Sequence, residues 1–207
     1  MSMANRRRTL RSALSTLALA GTLGLTACGA GTSGPEAQGT PSAAASGTAS
    51  PAPDARPTPA SSTGPARNLP KPELPAAAKE NTEAGFKAFT QYWFDTATYS
   101  LETGDSGPLE AISDSGCKVC NGYLADSRAG GWTVGPRWLS TGFSSDMKLD
   151  PAGQAVGYFM LEEGTSRWFD ADGKLTKERS GGNNGKPKAI YASYTNGAWT
   201  ARQLGQA

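Results

Sequence analysis

Read for apolar and polar positions, the chain opens on a short apolar run from roughly Leu14 to Leu25. From Gly29 to about Pro75 almost nothing large and apolar follows. Past Asn81 a helical rhythm begins: Phe86, Phe89, Trp93, Ala97 and Leu101 recur at three- and four-residue steps, with Tyr92 and Phe94 widening the stripe. That spacing lays one apolar face along a helix. Asn81 is a suitable N-cap, Glu83 sits well beside the positive end of the helix dipole, and Gly104 is the natural left-handed residue beyond the last turn. A helix bounded in this way has about 23 residues and a length of roughly 34 Å. A shorter helix is predicted over 108–112, with Pro108 in its first turn, and a third over 117–128, stopped by Gly130-Gly131.

After the glycine pair the period drops to two, the spacing of a strand with one buried face. Trp132 and Val134 alternate, Gly135-Pro136 suggests a bulge, and the same strand is predicted to continue over 138–143. A second strand covers 155–162, and a hairpin pairs 166–169 with 174–177 around Asp170-Ala171-Asp172-Gly173. The strongest hairpin signal is Asn196-Gly197, which joins strands over 188–195 and 198–204. A two-residue loop there sets Tyr194 opposite Trp199, Ala192 opposite Ala201 and Ile190 opposite Gln203. The face so formed is the more apolar one and should meet the long helix, with Ser193, Thr195, Thr200 and Arg202 turned to water. Phe89 and Trp93 are therefore expected to pack against Ile190, Tyr194 and Trp199. Helices first and then an antiparallel meander is the order of an α+β domain, with a long N-terminal helix and two short helices on one face of a sheet.

What precedes that domain is read from composition. The segment from Gly29 to about Pro75 is mostly Gly, Ala, Ser, Thr and Pro, too poor in apolar surface to offset the entropy of ordering it. A disordered linker is expected over 28–79, stiffened by its prolines, with a reach of roughly 35–40 Å or more. Its Ser/Thr-Pro content permits O-glycosylation. Ahead of it, Arg6, Arg7, Arg8 and Arg11 precede the apolar run, which ends in Leu25-Thr26-Ala27-Cys28. Basic, apolar and small-residue regions in that order make a leader, and Leu-x-Ala-Cys resembles a bacterial lipobox. The resemblance implies cleavage after Ala27 and a diacylglycerol and acyl (palmitate) lipid on Cys28, anchoring the protein to the outer face of the cytoplasmic membrane. An ordinary secretory signal is the plainer alternative. A spanning helix needs about twenty apolar residues, which this run does not supply. Arg6 to Arg11 is also similar to a twin-arginine export motif but lacks its aromatic, so both export routes stay open.

Removing the leader changes the charge. The net +2 of the 207-residue chain includes four leader arginines and no leader acids, so the mature chain carries −2. No basic patch advertises nucleic acid as a partner. The chain has no histidine, which removes the commonest general base, the usual Ser-His and Cys-His pairs and the commonest metal ligand. With Cys28 lipidated, Cys117 and Cys120 form an even pair in an oxidising compartment, read as a disulfide stapling the third helix.

Cys117-Lys118-Val119-Cys120 invites thiol-disulfide exchange, since a cysteine at a helix N-terminus has a lowered pKa. A thioredoxin-type site, however, follows a strand and carries an aromatic and a Gly-Pro pair, all missing here, so the staple is favoured. Two cysteines without histidine make half a zinc site, and no metal is expected. Asp170 to Gly173 departs from a calcium loop in the place of its glycine and the lack of a twelfth-position Glu, and reads as a turn. Asp95 and Tyr99, four residues apart, could face one cavity beside Trp93, a possible pocket for acid-base chemistry, with a solvated flank as the default. Trp93, Trp132, Trp138, Trp168 and Trp199 could line a sugar or lipid site, though core is the usual role of such residues.

The run Gly85-Phe86-Lys87-Ala88-Phe89, Tyr92-Trp93, Tyr99, Thr103-Gly104-Asp105, Leu109, Cys117-x-x-Cys120 and Gly130-Gly131 resembles an uncharacterised family of actinobacterial lipoproteins. The order of elements over 80–207 is similar to the nuclear transport factor 2-like (cystatin-like) fold, whose long helix lies in a curved antiparallel sheet shaped as a cone. The resemblance implies lipobox, linker and fold, and no activity. The expectation is a membrane-anchored extracytoplasmic protein, without cofactor beyond its lipid, binding an envelope protein or glycan and not catalytic. The alternative is an enzyme, either thiol-disulfide exchange at Cys117/Cys120 or acid-base chemistry in the cone.

Overall fold

The computed structural model describes residues 55–183 and 185–207. The leader, Cys28 and the first half of the linker lie outside the described residues. Among those described, no helix is long and apolar enough to cross a membrane.

The apolar stripe folds as α1, Glu83–Thr103. Its N-cap is Thr82 and not Asn81, because the Thr82 hydroxyl is the group that accepts from Gly85 N at 3.1 Å. Gly104 closes the helix in the left-handed conformation at φ 81°. Two shorter helices follow as the sequence indicates, α2 (Gly107–Ala111) and α3 (Lys118–Arg128). Arg128 ties them together, its Nε donating to Ser106 Oγ and its Nη2 to Glu110 Oε2.

Seven strands come next: β1 (Trp132–Val134), β2 (Trp138–Ser144), β3 (Ala155–Glu163), β4 (Ser166–Phe169), β5 (Leu175–Arg179), β6 (Lys188–Thr195) and β7 (Ala198–Gln206). They form two antiparallel sheets, β1-β4-β5 and β2-β3-β6-β7, and not the single meander expected. The reason lies at Gly135-Pro136, where a bulge in one strand was the expectation. Gly135 has φ +72°, and a Cβ there would stand 2.7 Å from Thr165 O. Pro136 has no N–H for a ladder. Opposite this break the β3–β4 connection turns too, with Gly164 N donating to Arg137 O at 2.7 Å. Both strands of the ribbon thus leave the larger sheet at one place, and a second sheet starts there.

The Asn196-Gly197 hairpin has the predicted start, Tyr194 opposite Trp199 and Ala192 opposite Ala201. Beyond it the register shifts between Tyr191 and Ala192, so Ile190 faces Leu204 and not Gln203. Packing explains the shift. Without it polar Gln203 would enter the core beside Ile190, whereas the bulge turns Leu204 inward, where it is buried. Arg202, next to the bulge, donates from Nε to Ser193 Oγ at 2.8 Å and pairs with Asp114.

The core forms between α1 and the inner face of the larger sheet. Phe86 stacks on Trp199 with centroids 4.7 Å apart, and Phe89 lies 6.2 Å from the same ring. Further along α1, Phe94 meets Phe159 edge-on, and Trp93 meets Phe94 and Tyr123 of α3. Ala155, Phe159 and Leu161 alternate on the inner face of β3, with Gly157 leaving room for Phe143 and Phe86.

Residues 56–79, read as linker, belong to the fold. Thr58 and Arg67 pair as a bridge, Ala66 N donates to Glu102 O at 2.8 Å, and Trp132 Nε1 donates to Ser61 O at 2.7 Å. The segment ends in a 3-10 turn, Ala76–Lys79, with Ala78 buried. Lys79 O accepts from the Tyr194 hydroxyl and Glu80 O from Trp199 Nε1. Composition misleads here because this strap is held by its backbone carbonyls and N–H groups and a few small side chains, which hydropathy does not register.

Candidate functional site

Cys117 and Cys120 are joined as a disulfide. Cys117 is the N-cap of α3, its sulfur accepting from Cys120 N at 3.2 Å, and both residues are buried. The bridge therefore holds the first turn of α3. Exposed Val119 and, one turn later, Tyr123 share the face that this turn orients.

Trp93, Asp95 and Tyr99 do not form a common pocket. Trp93 is fully buried and donates from Nε1 to Ser113 Oγ at 2.9 Å. Asp95 is exposed, its carboxylate accepting from Gln91 Nε2, and it borders a shallow depression beside Thr98 and Arg137. Tyr99 is buried, with its hydroxyl donating to Asp105 Oδ2 at 3.1 Å. Lys71 of the strap reaches the same carboxylate at 2.9 Å. That hydrogen bond first, with help from Gly107 N–H and the Tyr99 hydroxyl, holds Asp105 below the usual carboxylate range. Burial and then Asp105 push the Tyr99 phenol up. The possible Asp95–Tyr99 pocket does not form, because the strap and Asp105 take up the tyrosine, and Asp95 lies on the solvated flank that was the default. Of the other tryptophans, Trp132, Trp138 and Trp199 are buried, and half-buried Trp168 carries the Lys177 ammonium 4.7 Å above its ring.

A cleft of about 240 Å³ opens elsewhere, between α3 and the strand ends of the larger sheet. Its floor is apolar: Phe94, Phe159, Leu161 and Leu204. Val119 and Tyr123 of α3 stand over one side. On the rim lie Glu163, Arg179 and Lys188. Glu163 continues the inward alternation of Phe159 and Leu161, and Lys188 sits opposite Phe159 in the register, so both charges come in on the inner face.

The rim charges are arranged unequally. Arg179 Nη1 stands 3.3 Å from Glu163 Oε2, where the glutamate is the more buried partner, its side chain 20% exposed against 55%. The Glu163 backbone is fixed as well, exchanging hydrogen bonds with Gly182 at 3.0 and 2.7 Å. The Lys188 ammonium makes no ion pair or hydrogen bond among the described residues. Burial, reinforced by the Glu163 carboxylate, pushes the Tyr123 phenol up to about 12. Tyr123 therefore keeps its proton at neutral pH and offers a hydroxyl, not a phenolate base. These groups can hold an apolar body and orient a polar end, and they include no activated nucleophile.

Of these cleft residues the sequence marks Phe94 as part of the helical stripe, and it does not single out Tyr123, Glu163, Arg179 or Lys188. The available signal was the inward run Ala155, Gly157, Phe159, Leu161, Glu163, in which a charge closes an otherwise apolar face. Nothing local distinguishes Arg179 or Lys188, which reach the site only through the pairing of their strands.

No curated protein matches the chain significantly. Among solved structures, Aln2 from a Streptomyces species aligns with a TM-score of 0.36 and 13% identity, covering 65% of this chain and 93% of that one. The model of DUF6318, a family of unknown function, matches residues 56–205, from the strap into the last strand, and the chain belongs to that family.

Proposed function

We propose that the protein is a lipid-anchored extracytoplasmic lipoprotein whose domain, of the nuclear transport factor 2-like kind, is a binding module and not an enzyme. The observation that carries the binding role is the cleft, an apolar floor under a rim of fixed charges and a neutral phenol. Small-ligand sites are concave, mostly apolar and provided with a few placed polar groups. Thiol-disulfide exchange is disfavoured by the burial of both sulfurs, since an exchanging disulfide must meet an attacking thiolate. Acid-base chemistry at Asp95 is disfavoured by its exposure, which leaves its carboxylate in water.

Two measurements test the reading. For the anchor, Cys28→Ser should abolish lipid labelling and release the protein from membranes, and a variant that is still labelled would sink that half. For the cleft, a neutral amphiphile such as 1-octanol should produce saturable NMR shifts at the amides of Val119, Tyr123, Ala189 and Gly205. Shifts that do not saturate, or that scatter over the surface, would remove the cleft as a binding site.

A further inference from the structure

We infer that the cleft selects a singly charged anion with one short apolar arm, its head between Lys188 and Arg179 and its arm on Phe94, Phe159, Leu161 and Leu204. The inference rests on the binding reading above and adds the ligand class.

Arg179 and Lys188 are cations and Glu163 is an anion, which leaves one positive charge in excess at the mouth. Glu163 is satisfied by Arg179, while Lys188 is half-buried and has no partner of its own among the described residues. An ammonium partly withdrawn from water favours an anion beside it more strongly than an exposed one does. Arg179 keeps further N–H donors free to share, since a guanidinium carries five and its one ion pair here is long. The Tyr123 hydroxyl, without a hydrogen-bond partner among the described residues, adds a neutral donor on the opposite side. Two nearby charges balance: Asp126 and Lys177 border the adjoining depression with Tyr123 and Arg179, and Lys177 is held over Trp168.

Charge number and size then narrow the ligand. A dianion would exceed the single surplus charge and stand against the Glu163 carboxylate, whereas a monoanion matches it. A volume of about 240 Å³ lies below the range of roughly 300–1,000 Å³ usual for drug-sized ligands, so the apolar arm is short. The chemical class is a medium-chain carboxylate, with octanoate as its probe.

Octanoate, 1-octanol, octylamine and octyl phosphate share one arm and differ in the head, and NMR titration of the folded protein at pH 7.5 ranks them. Octanoate should bind at least tenfold more tightly than 1-octanol, a difference of about 1.4 kcal/mol. Octylamine should bind more weakly than the alcohol. Octyl phosphate, mostly doubly charged at that pH, should gain nothing over octanoate. Lys188→Gln should bring octanoate down to the level of 1-octanol and leave the alcohol unchanged, with shifts outside the cleft as in the unmodified protein. Arg179→Gln, by freeing Glu163, should weaken octanoate and strengthen octylamine. Equal affinities for octanoate and 1-octanol, a preference that survives Lys188→Gln, or tighter octyl phosphate would each overturn the anion selectivity while leaving the cleft a binding site. Unsaturable 1-octanol shifts would remove the cleft itself.

Discussion

Trp93→Ala is expected to lower the unfolding free energy by about 3–5 kcal/mol, the usual range for truncating a large buried ring. Trp93 has no exposed surface, meets Phe94 and Tyr123 edge-on with centroids 5.2 and 5.4 Å away, and hydrogen-bonds Ser113 through its indole. Removing it leaves a void that close-packed neighbours fill only in part. Against a typical domain stability of about 5–15 kcal/mol, that is a large share. Asp95→Ala, two positions along the helix, should change stability by less than about 0.5 kcal/mol, because among the described residues the exposed carboxylate hydrogen-bonds only the Gln91 amide. Urea melts of the two variants make the comparison. A Trp93→Ala loss below about 1 kcal/mol, or a strong shift with Asp95→Ala, would contradict the placement of α1. Since Tyr123 leans on Trp93, the same truncation should also weaken 1-octanol binding in the cleft.

The second large effect has a sign that helix propensity gets wrong. Alanine is favoured over glycine inside a helix by about 1 kcal/mol, so Gly85→Ala in α1 looks stabilising. In the fold a Cβ at Gly85 would lie 2.1 Å from Glu80 O and 2.8 Å from Ala77 O, backbone atoms of the strap's last turn and of the residue that follows it. Neither can swing aside as a flexible side chain would. Relief requires moving the turn that supplies Lys79 O to Tyr194 and Glu80 O to Trp199. A net loss of about 2–3 kcal/mol is expected, within the cost of overpacking. Gly122→Ala in α3 provides the contrast, with nothing within 4 Å of the added Cβ. It should raise stability by about 0.5–1 kcal/mol. Thermal or urea unfolding of the pair checks the opposite signs, and a stabilised Gly85→Ala would show that the strap is not seated on α1.

Binding and stability meet at the disulfide. By fixing the start of α3 it fixes Val119 and Tyr123, so its role in the cleft is positional although its sulfurs are buried. The Cys-x-x-Cys spacing that suggested redox chemistry is equally the spacing of a cap that orients a helix, and both residues are buried.

Local order determined what the amino-acid sequence could announce by itself. The stripe Phe86, Phe89, Trp93, Ala97, Leu101 specifies a helix because its period is helical, and all five residues are buried. Asn196-Gly197 specifies a tight turn and with it the first pairs of the last hairpin, since only a few residues tolerate that backbone. The disulfide could be expected from cysteine count, since a lipidated Cys28 leaves Cys117 and Cys120 as an even pair. Tertiary structure alone decided the rest. One sheet became two because Gly135-Pro136 and Gly164 break their strands opposite one another, a coincidence across the ladder that neither segment encodes alone. The bulge at Tyr191/Ala192 arises because the core accepts Leu204 and rejects Gln203, a choice that exists only once α1 covers the sheet. The strap is ordered by hydrogen bonds to residues up to 115 positions away, invisible to any window of composition. The cleft is the extreme case. Phe94, Tyr123, Glu163, Arg179 and Lys188 come from five separate elements, only Phe94 is marked in its own stretch (as core), and they acquire a common chemistry only because the strands and helices bring them to one mouth.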